Sequence, residues 1–297
     1  MSSTRSRVFL GLGLYFALVV AFVLIFGSSG ENEAFQPQNE FKLDDWIDLG
    51  IFSINKAVLY IVAAGALTVG TMVYIANRMA AKPNRVQTLV ELTFALMRDN
   101  ITNGNMGDPK MARKWFPFIA TIFLFIWFSN MIGYLPLPTN TEHKIDIFGA
   151  QVPAFALYAA TANLSVPLVL ALIVWLAYNI EGVRAKGFIG YMKSLVPAGV
   201  HGPMAGFIFV LEFFSNIMRL LSLSVRLFAN ILAGHLIILF MGGALAVLLG
   251  SAAIGILTFP MGVVLFVFEV GLVATLQAFI FATLTAIYLG GAVAESH

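Results

Sequence analysis

The sequence predicts an all-α, polytopic membrane protein with five to six membrane helices ending in a long, strongly tilted helical hairpin. Three observations carry this. Of 297 residues, 60% are hydrophobic and 11% charged, where soluble domains average about 25% charged. Apolar runs of the ~20 residues needed to cross a bilayer recur along the chain. Basic residues gather in two of the loops between them, where the positive-inside rule puts the cytoplasm. The absence of Cys excludes disulfides and thiolate chemistry. No P-loop, dinucleotide fingerprint or HExxH motif is present, so no cofactor, metal, bound nucleotide or nucleic acid is expected.

The elements follow in order. Arg5 and Arg7 precede the apolar run 8–27, so residues 1–30 read as a signal anchor or a cleavable leader. A retained anchor gives six spans with both termini inside, and a cleaved one gives five. Residues 31–53 carry Glu31, Glu33, Glu40, Asp44, Asp45 and Asp48 against Lys42 alone and read as an external acidic segment. Residues 54–77 form the next span. Residues 78–114 hold seven basic residues against three acidic ones and read as cytoplasmic. Within them, VQTLVELTFALM has the apolar spacing of a helix lying at the membrane surface. A span over 115–135 stops at the prolines of YLPLPTN. Residues 139–160 form an outer loop that either stays outside or dips back. A span over 163–180 leads to Arg184, Lys186 and Lys193, a second cytoplasmic loop.

Two long apolar stretches follow, about 204–249 and 252–292, with no charged turn at the centre of either. Gly242, Gly243 and Gly250 place the break between them, and Pro260 lies near the start of the second. A helix over 207–243 is ~55 Å long at 1.5 Å per residue, against a hydrocarbon core of ~30 Å. Such a helix must tilt steeply, kink, or extend past the membrane.

The first long helix carries Glu212, Ser215, Arg219, Ser222, Arg226 and Asn230 at steps of 3, 4, 3, 4 and 4. These residues form one continuous helical face. Arg226 is its most telling member. A guanidinium keeps its charge in a protein, and placing one at bilayer depth costs roughly 2.5–3.5 kcal/mol on insertion scales. Arg219 lies nearer the cytoplasm, where it can snorkel. His235, nine residues beyond Arg226, turns to about the opposite face. Glu269 on the last helix is expected at a similar depth, where a carboxylate and an imidazole can relay protons. Gln277 and Tyr288 share a face of that helix. Two polar routes are therefore expected. One rises along Glu212 and Ser215; the other descends past His235 and Glu269; Arg226 stands between them. No second buried acid shares the face of Arg226, so its counter-ion is sought in a partner. Ser215, Ser222 and Gln277 taken singly also suit ordinary contacts between membrane helices. A self-contained secondary transporter, with Arg226 binding an anionic substrate, remains the alternative. It would usually show internal repeats and helices broken at mid-membrane, and neither is evident. A purely structural scaffold would leave the polar face unexplained.

SLSVRLFANILAGHLI (222–237) followed by TLQAFIFATLTAIYL (275–289) resembles subunit a of the F-type ATP synthase, the membrane stator beside the c-ring. LEFFSNIMRLLSLSVR, PNRVQTLVELTFALMRDNI and ATANLSVPLVLAL extend the resemblance over about 54–297. It implies that Arg226 is the stator arginine facing a c-ring carboxylate. It implies an outer proton path along Asn230, His235, Glu269, Gln277 and Asn163, and an inner one along Glu212, Ser215 and Ser222. The implied partners are the c-ring, the subunit b or b' peripheral stalk and the rest of the F1Fo complex, in a bacterial inner membrane with the C-terminus cytoplasmic. The chain itself would hold no catalytic site. One departure stands out: Glu269 precedes Gln277 by eight residues, where the family leads one to expect seven. Asn163 stands where other members carry an acid.

Overall fold

The computed structural model describes residues 45–48, 53–78, 84–147, 150–196, 202–244 and 252–294, with isolated positions 13, 17 and 200. Among the described residues, five helices are long and apolar enough to cross a membrane: Lys56–Asn77, Pro109–Gly133, Ser165–Lys186, Pro203–Ala244 and Ile254–Val293. The polytopic α-helical class is borne out. The expected span at 8–27, the whole question of the leader, and most of the acidic segment lie outside the described residues. The chain divides into two compact units, the larger comprising Asp45–Pro136, Ala159–Leu232 and Val273–His297, the smaller Met1–Asp44, Leu137–Tyr158 and Ala233–Leu272.

In the larger unit, a short antiparallel pair, β1 (Asp45–Asp48) and β2 (Ser53–Asn55), leads into α1 (Lys56–Arg78). Helix α2 (Arg85–Ala95) starts where Asn84 Oδ1 accepts the Gln87 N–H at 2.7 Å, which satisfies one of the first-turn donors. Val86, Leu89 and Leu92 on α2 are each more than 60% exposed. Their steps of three leave one apolar face turned away from the chain, as a helix lying at a membrane surface requires. The chain continues through a π-helical segment, Leu96–Asn103, into α3 (Pro109–Gly133). Helix α3 begins six residues before the expected 115. Asp108 caps it, its Oδ1 accepting the Lys110 N–H at 2.9 Å, and Pro109 occupies the first turn, where no N–H is needed. Helix α4 (Ser165–Lys186) outruns the expected 163–180 and stops at Gly187, whose φ of 72° suits glycine. Then come the short α5 (Phe188–Ser194), α6 (Pro203–Leu239) and, after the second long stretch turns back, α8 (Ala274–Val293).

Helix α8 is the centre of this unit and packs against both α3 and α4. Ala274, Ala278, Ala282 and Ala286 are fully buried along one face. Gly290 continues the row, and a Cβ there would stand 2.8 Å from the Asn105 carbonyl oxygen. Lipid tails are as apolar as side chains, so membrane helices associate by close packing, which small residues permit. Buried polar groups tie the same helices. Thr161 donates to Asn130 Oδ1 at 2.8 Å, and Asn130 Nδ2 donates to the Ala274 carbonyl at 3.4 Å. Trp127 Nε1 donates to Thr275 Oγ1 at 3.1 Å.

Lys114 on α3 forms an ion pair with Glu181 on α4, two helices that otherwise pack chiefly through α8. Glu181 is buried, and its second carboxylate oxygen has no hydrogen-bond partner among the described residues. Removing one partner of a buried pair leaves an uncompensated charge. Lys114→Met is expected to destabilise the purified protein by about 2 kcal/mol, below the usual buried-pair cost because Lys114 is half exposed. Glu181→Gln is expected to cost less, since it removes the buried charge. Thermal unfolding in detergent measures both.

In the smaller unit, the segment expected as an outer loop is a β-hairpin, β3 (Leu137–Ile147) against β4 (Ala150–Ala156). The sequence there shows prolines and charges and no strand signal. The end of α6 passes into a π-helical turn, Phe240–Ala244, where Gly243 has φ 154°. The expected glycine break is therefore present. Helix α7 (Ala252–Phe268) returns against that turn, and a Cβ on Gly262 would stand 3.2 Å from the Met241 carbonyl carbon. Pro260 sits inside α7 and does not end it. A second π turn, Glu269–Val273, joins α7 to α8.

Candidate functional site

Helix α6 runs unbroken for 37 residues, so the polar face expected from spacing is realised on a rigid support. Ser222, Arg226 and Asn230 are all exposed. Their helical neighbours Leu223, Leu227 and Ile231 are buried at 3%, 1% and 0%. The helix thus anchors one side in its own core and carries Arg226 on the other. Among the described residues, Arg226 makes no ion pair and no hydrogen bond. Leu221 and Val225, exposed at 42% and 48%, flank it with apolar surface. Arg226 thus stands as a permanent cation on an exposed, largely apolar face of α6.

Further toward the helix start, Glu212 and Ser215 are half-buried. Arg219 Nη2 lies 4.0 Å from Glu212 Oε2, and its guanidinium sits 5.4 Å from the centre of the Tyr288 ring. The polar cavity they line holds about 260 Å³ and also reaches Tyr178 and Ser194. Asn216 sets this part of α6 in place. Tyr178 donates its hydroxyl to Asn216 Oδ1, and Asn216 Nδ2 donates to Asn179 Oδ1 at 3.1 Å. Tyr191 donates to the same Asn179 oxygen at 2.9 Å, and Trp175 Nε1 to the Asn216 carbonyl at 3.1 Å. Burial raises the Tyr191 phenol above its ordinary value, so it remains a neutral donor. Spacing alone passes over Asn216 because it lies off the stripe, toward the core.

His235 is 2% exposed. Glu269 is half-buried in the same unit as His235, and its carboxylate rests against the Cα of Gly234. A methyl group on Gly234 would collide with that carboxylate, and Oε1 lies 2.8 Å from where it would stand. The structure therefore brings Glu269 beside the residue preceding His235. The signal for Gly234 was the glycine itself, inside an otherwise helical run where it costs about 1 kcal/mol.

Gln277 is 4% exposed within the larger unit. Between it and Glu269 lies the π turn, which takes up one extra residue. Eight residues across such a turn advance a helix in phase by about as much as seven in a regular α-helix. The one-residue departure in spacing has its physical counterpart there. Asn163 lies two residues before α4 begins, and its Oδ1 accepts the Ser165 N–H at 3.0 Å.

Fold and site together define a polytopic membrane protein whose longest helix among the described residues carries a charged face outside its own core. The family model described as ATP synthase A chain matches residues 58–290. The chain belongs to that family. It is 33% identical over 272 residues to ATP synthase subunit a of Maricaulis maris, covering 88% of this chain and 98% of the relative. It is 34% identical to ATP synthase subunit a of Rhizobium rhizogenes, covering 83% and 92%, and 34% identical to that of Campylobacter hominis, covering 82% and 92%.

Proposed function

We propose that this chain is the proton-translocating stator subunit of an ATP synthase Fo sector in a bacterial inner membrane. Its partners are a c-ring and a peripheral stalk of subunit b or b', with its C-terminus in the cytoplasm. The single observation that carries the reading is Arg226, a fixed cation exposed on a rigid helix whose other side is buried. Protons enter from outside past Glu269, His235, Gln277, Asn163 and Asn230 and neutralise a rotor carboxylate. The neutral site can then travel through lipid without the cost of burying a charge. After nearly a full turn it releases its proton toward Ser222, Ser215 and Glu212 and is drawn to Arg226. The long hairpin lies strongly tilted against the rotor, which accounts for helices of 42 and 40 residues where about 20 would span. The buried imidazole, the half-buried carboxylate and the π turn that preserves phase support the outer path. The polar cavity around Glu212 supports the inner one. Proton flow is coupled to ATP made elsewhere in the complex, and this chain binds no nucleotide.

The chain has no Cys, so a single introduced thiol is unique within it. Ser222→Cys and Val225→Cys are expected to cross-link to cysteines placed beside the rotor carboxylate. Leu223→Cys, on the buried side, is expected not to. Equal cross-linking from all three, or from none, would remove the rotor from this face.

A further inference from the structure

Two cavities adjoin where α4, α5 and α6 meet in the larger unit. One holds about 320 Å³ and is lined by Trp175, Ile180, Val183, Phe188, Phe213 and Ile217, and also by Arg184. The other, of about 260 Å³, is polar and includes Lys186, Ser194 and Arg219. Tyr191, Leu195 and Asn216 line both and form their common wall. An apolar slot thus lies directly beside a polar chamber.

The charge around this pair of cavities is uneven. The described residues lining the two cavities include three cations, Arg184, Lys186 and Arg219, and one carboxylate, Glu212. Lys186 Nζ donates to Ser194 Oγ at 3.4 Å, which holds the ammonium at the chamber. Helix α5 turns away at Gly187 and exposes Phe188 and Ile189 at 67% and 70%. Large apolar side chains exposed beside Arg184 and Lys186 mark the level where bilayer meets water. A ligand matching these features needs a negative head and a hydrocarbon tail. Basic pockets between membrane helices at that level suit phospholipid headgroups.

We propose that this corner binds one anionic phospholipid, its phosphate held by Lys186 and Arg184 and an acyl chain lying in the apolar slot. A lone phosphate ion would leave the slot unused. The acyl chain would fill the slot between α4 and α6, which no residue of α8 lines, while the head would lie toward the chamber that Tyr288 and Gly291 of α8 also line. The polar chamber is the cavity proposed above for the inner proton path, but Arg184, Lys186 and the residues of the slot are not among the groups that path uses, so the two proposals are tested separately.

The test uses the purified complex in detergent, exposed to phosphatidylglycerol carrying a photoactivatable group in its acyl chain. A phosphatidylcholine with the same chain serves as the comparison. Labelled peptides are mapped by mass spectrometry. The glycerol lipid is expected to label residues of the apolar slot, with the choline lipid giving at most a tenth of that signal. Each cation is worth about fivefold in such attraction, so Arg184→Gln with Lys186→Gln is expected to cut labelling by roughly 25-fold. Arg184→Lys with Lys186→Arg is expected to retain it. Val183→Phe, which narrows the slot without changing charge, is expected to reduce labelling as well. Equal labelling by both lipids, or labelling indifferent to the charge change, would overturn the proposal. Loss of labelling on adding excess inorganic phosphate, with no effect from Val183→Phe, would reassign the chamber to free phosphate and overturn it too.

Discussion

Arg226→Ala is expected to abolish coupled ATP synthesis and ATP-driven proton pumping while leaving the complex assembled. The side chain is exposed on α6, so its loss leaves the packing of Leu223, Leu227 and Ile231 untouched. What is lost is the barrier between the two proposed proton routes. A guanidinium cannot give up its proton, so no proton can hop through it. It also attracts a rotor carboxylate when that group is ionised. One charge moving across 100 mV is worth about 2.3 kcal/mol, and this drives rotation only if protons cannot bypass the rotor. Without the cation, membranes stripped of the catalytic head are expected to leak protons passively. Arg226→Lys is expected to fail as well. An ammonium is more strongly hydrated, and it shifts its pKa readily when buried, so it can lose the charge. Normal ATP-driven pumping in Arg226→Ala would overturn the assignment.

Gly234→Ala is expected to lower ATP synthesis by roughly tenfold, a large effect for the addition of one methyl group. Overpacking typically costs about 1–3 kcal/mol, and 1.4 kcal/mol is a factor of ten. Here the atoms that must give way are those of the Glu269 carboxylate, which the proposed outer path uses. Displacing it changes the route, with the helix left intact, since alanine is the better helix former. Two readouts separate these possibilities: assembly should be normal, and proton conduction through Fo should fall. Glu269→Asp in the same chain shortens the acid by one methylene and is expected to restore part of the conduction lost to Gly234→Ala. If the double variant is worse than either single one, the collision is not the cause.

Much of the polar face is legible in the order of residues. Steps of three and four along Glu212, Ser215, Arg219, Ser222, Arg226 and Asn230 define one helical side, because an α-helix repeats every 3.6 residues. The opposite placement of His235 is expected from the same arithmetic. Helix α6 can be read from an apolar run with no turn signal until Gly242 and Gly243. Other features are not legible in this way. Asn216 looks like one more polar residue until Tyr178 and Asn179 are seen to meet it. The row Ala274, Ala278, Ala282, Ala286 and Gly290 is open to reading at steps of four, yet alanine is so common in membrane helices that the row stands out only once α3 is packed on it. The β3–β4 hairpin escapes because cross-strand pairing is a contact between distant residues and leaves little local trace.

By itself the sequence determined the membrane class, the order of the five described spans and the face that holds Arg226. Each of these depends on local quantities: hydropathy over about 20 residues and a fixed helical period. The tertiary structure alone decided which groups touch across elements. It set the Glu269 carboxylate on Gly234, paired Lys114 with Glu181, and placed a π turn where the spacing departs by one residue. Such choices depend on packing between segments far apart in the chain, where a shift of one methyl group decides what fits, and periodicity carries no record of that.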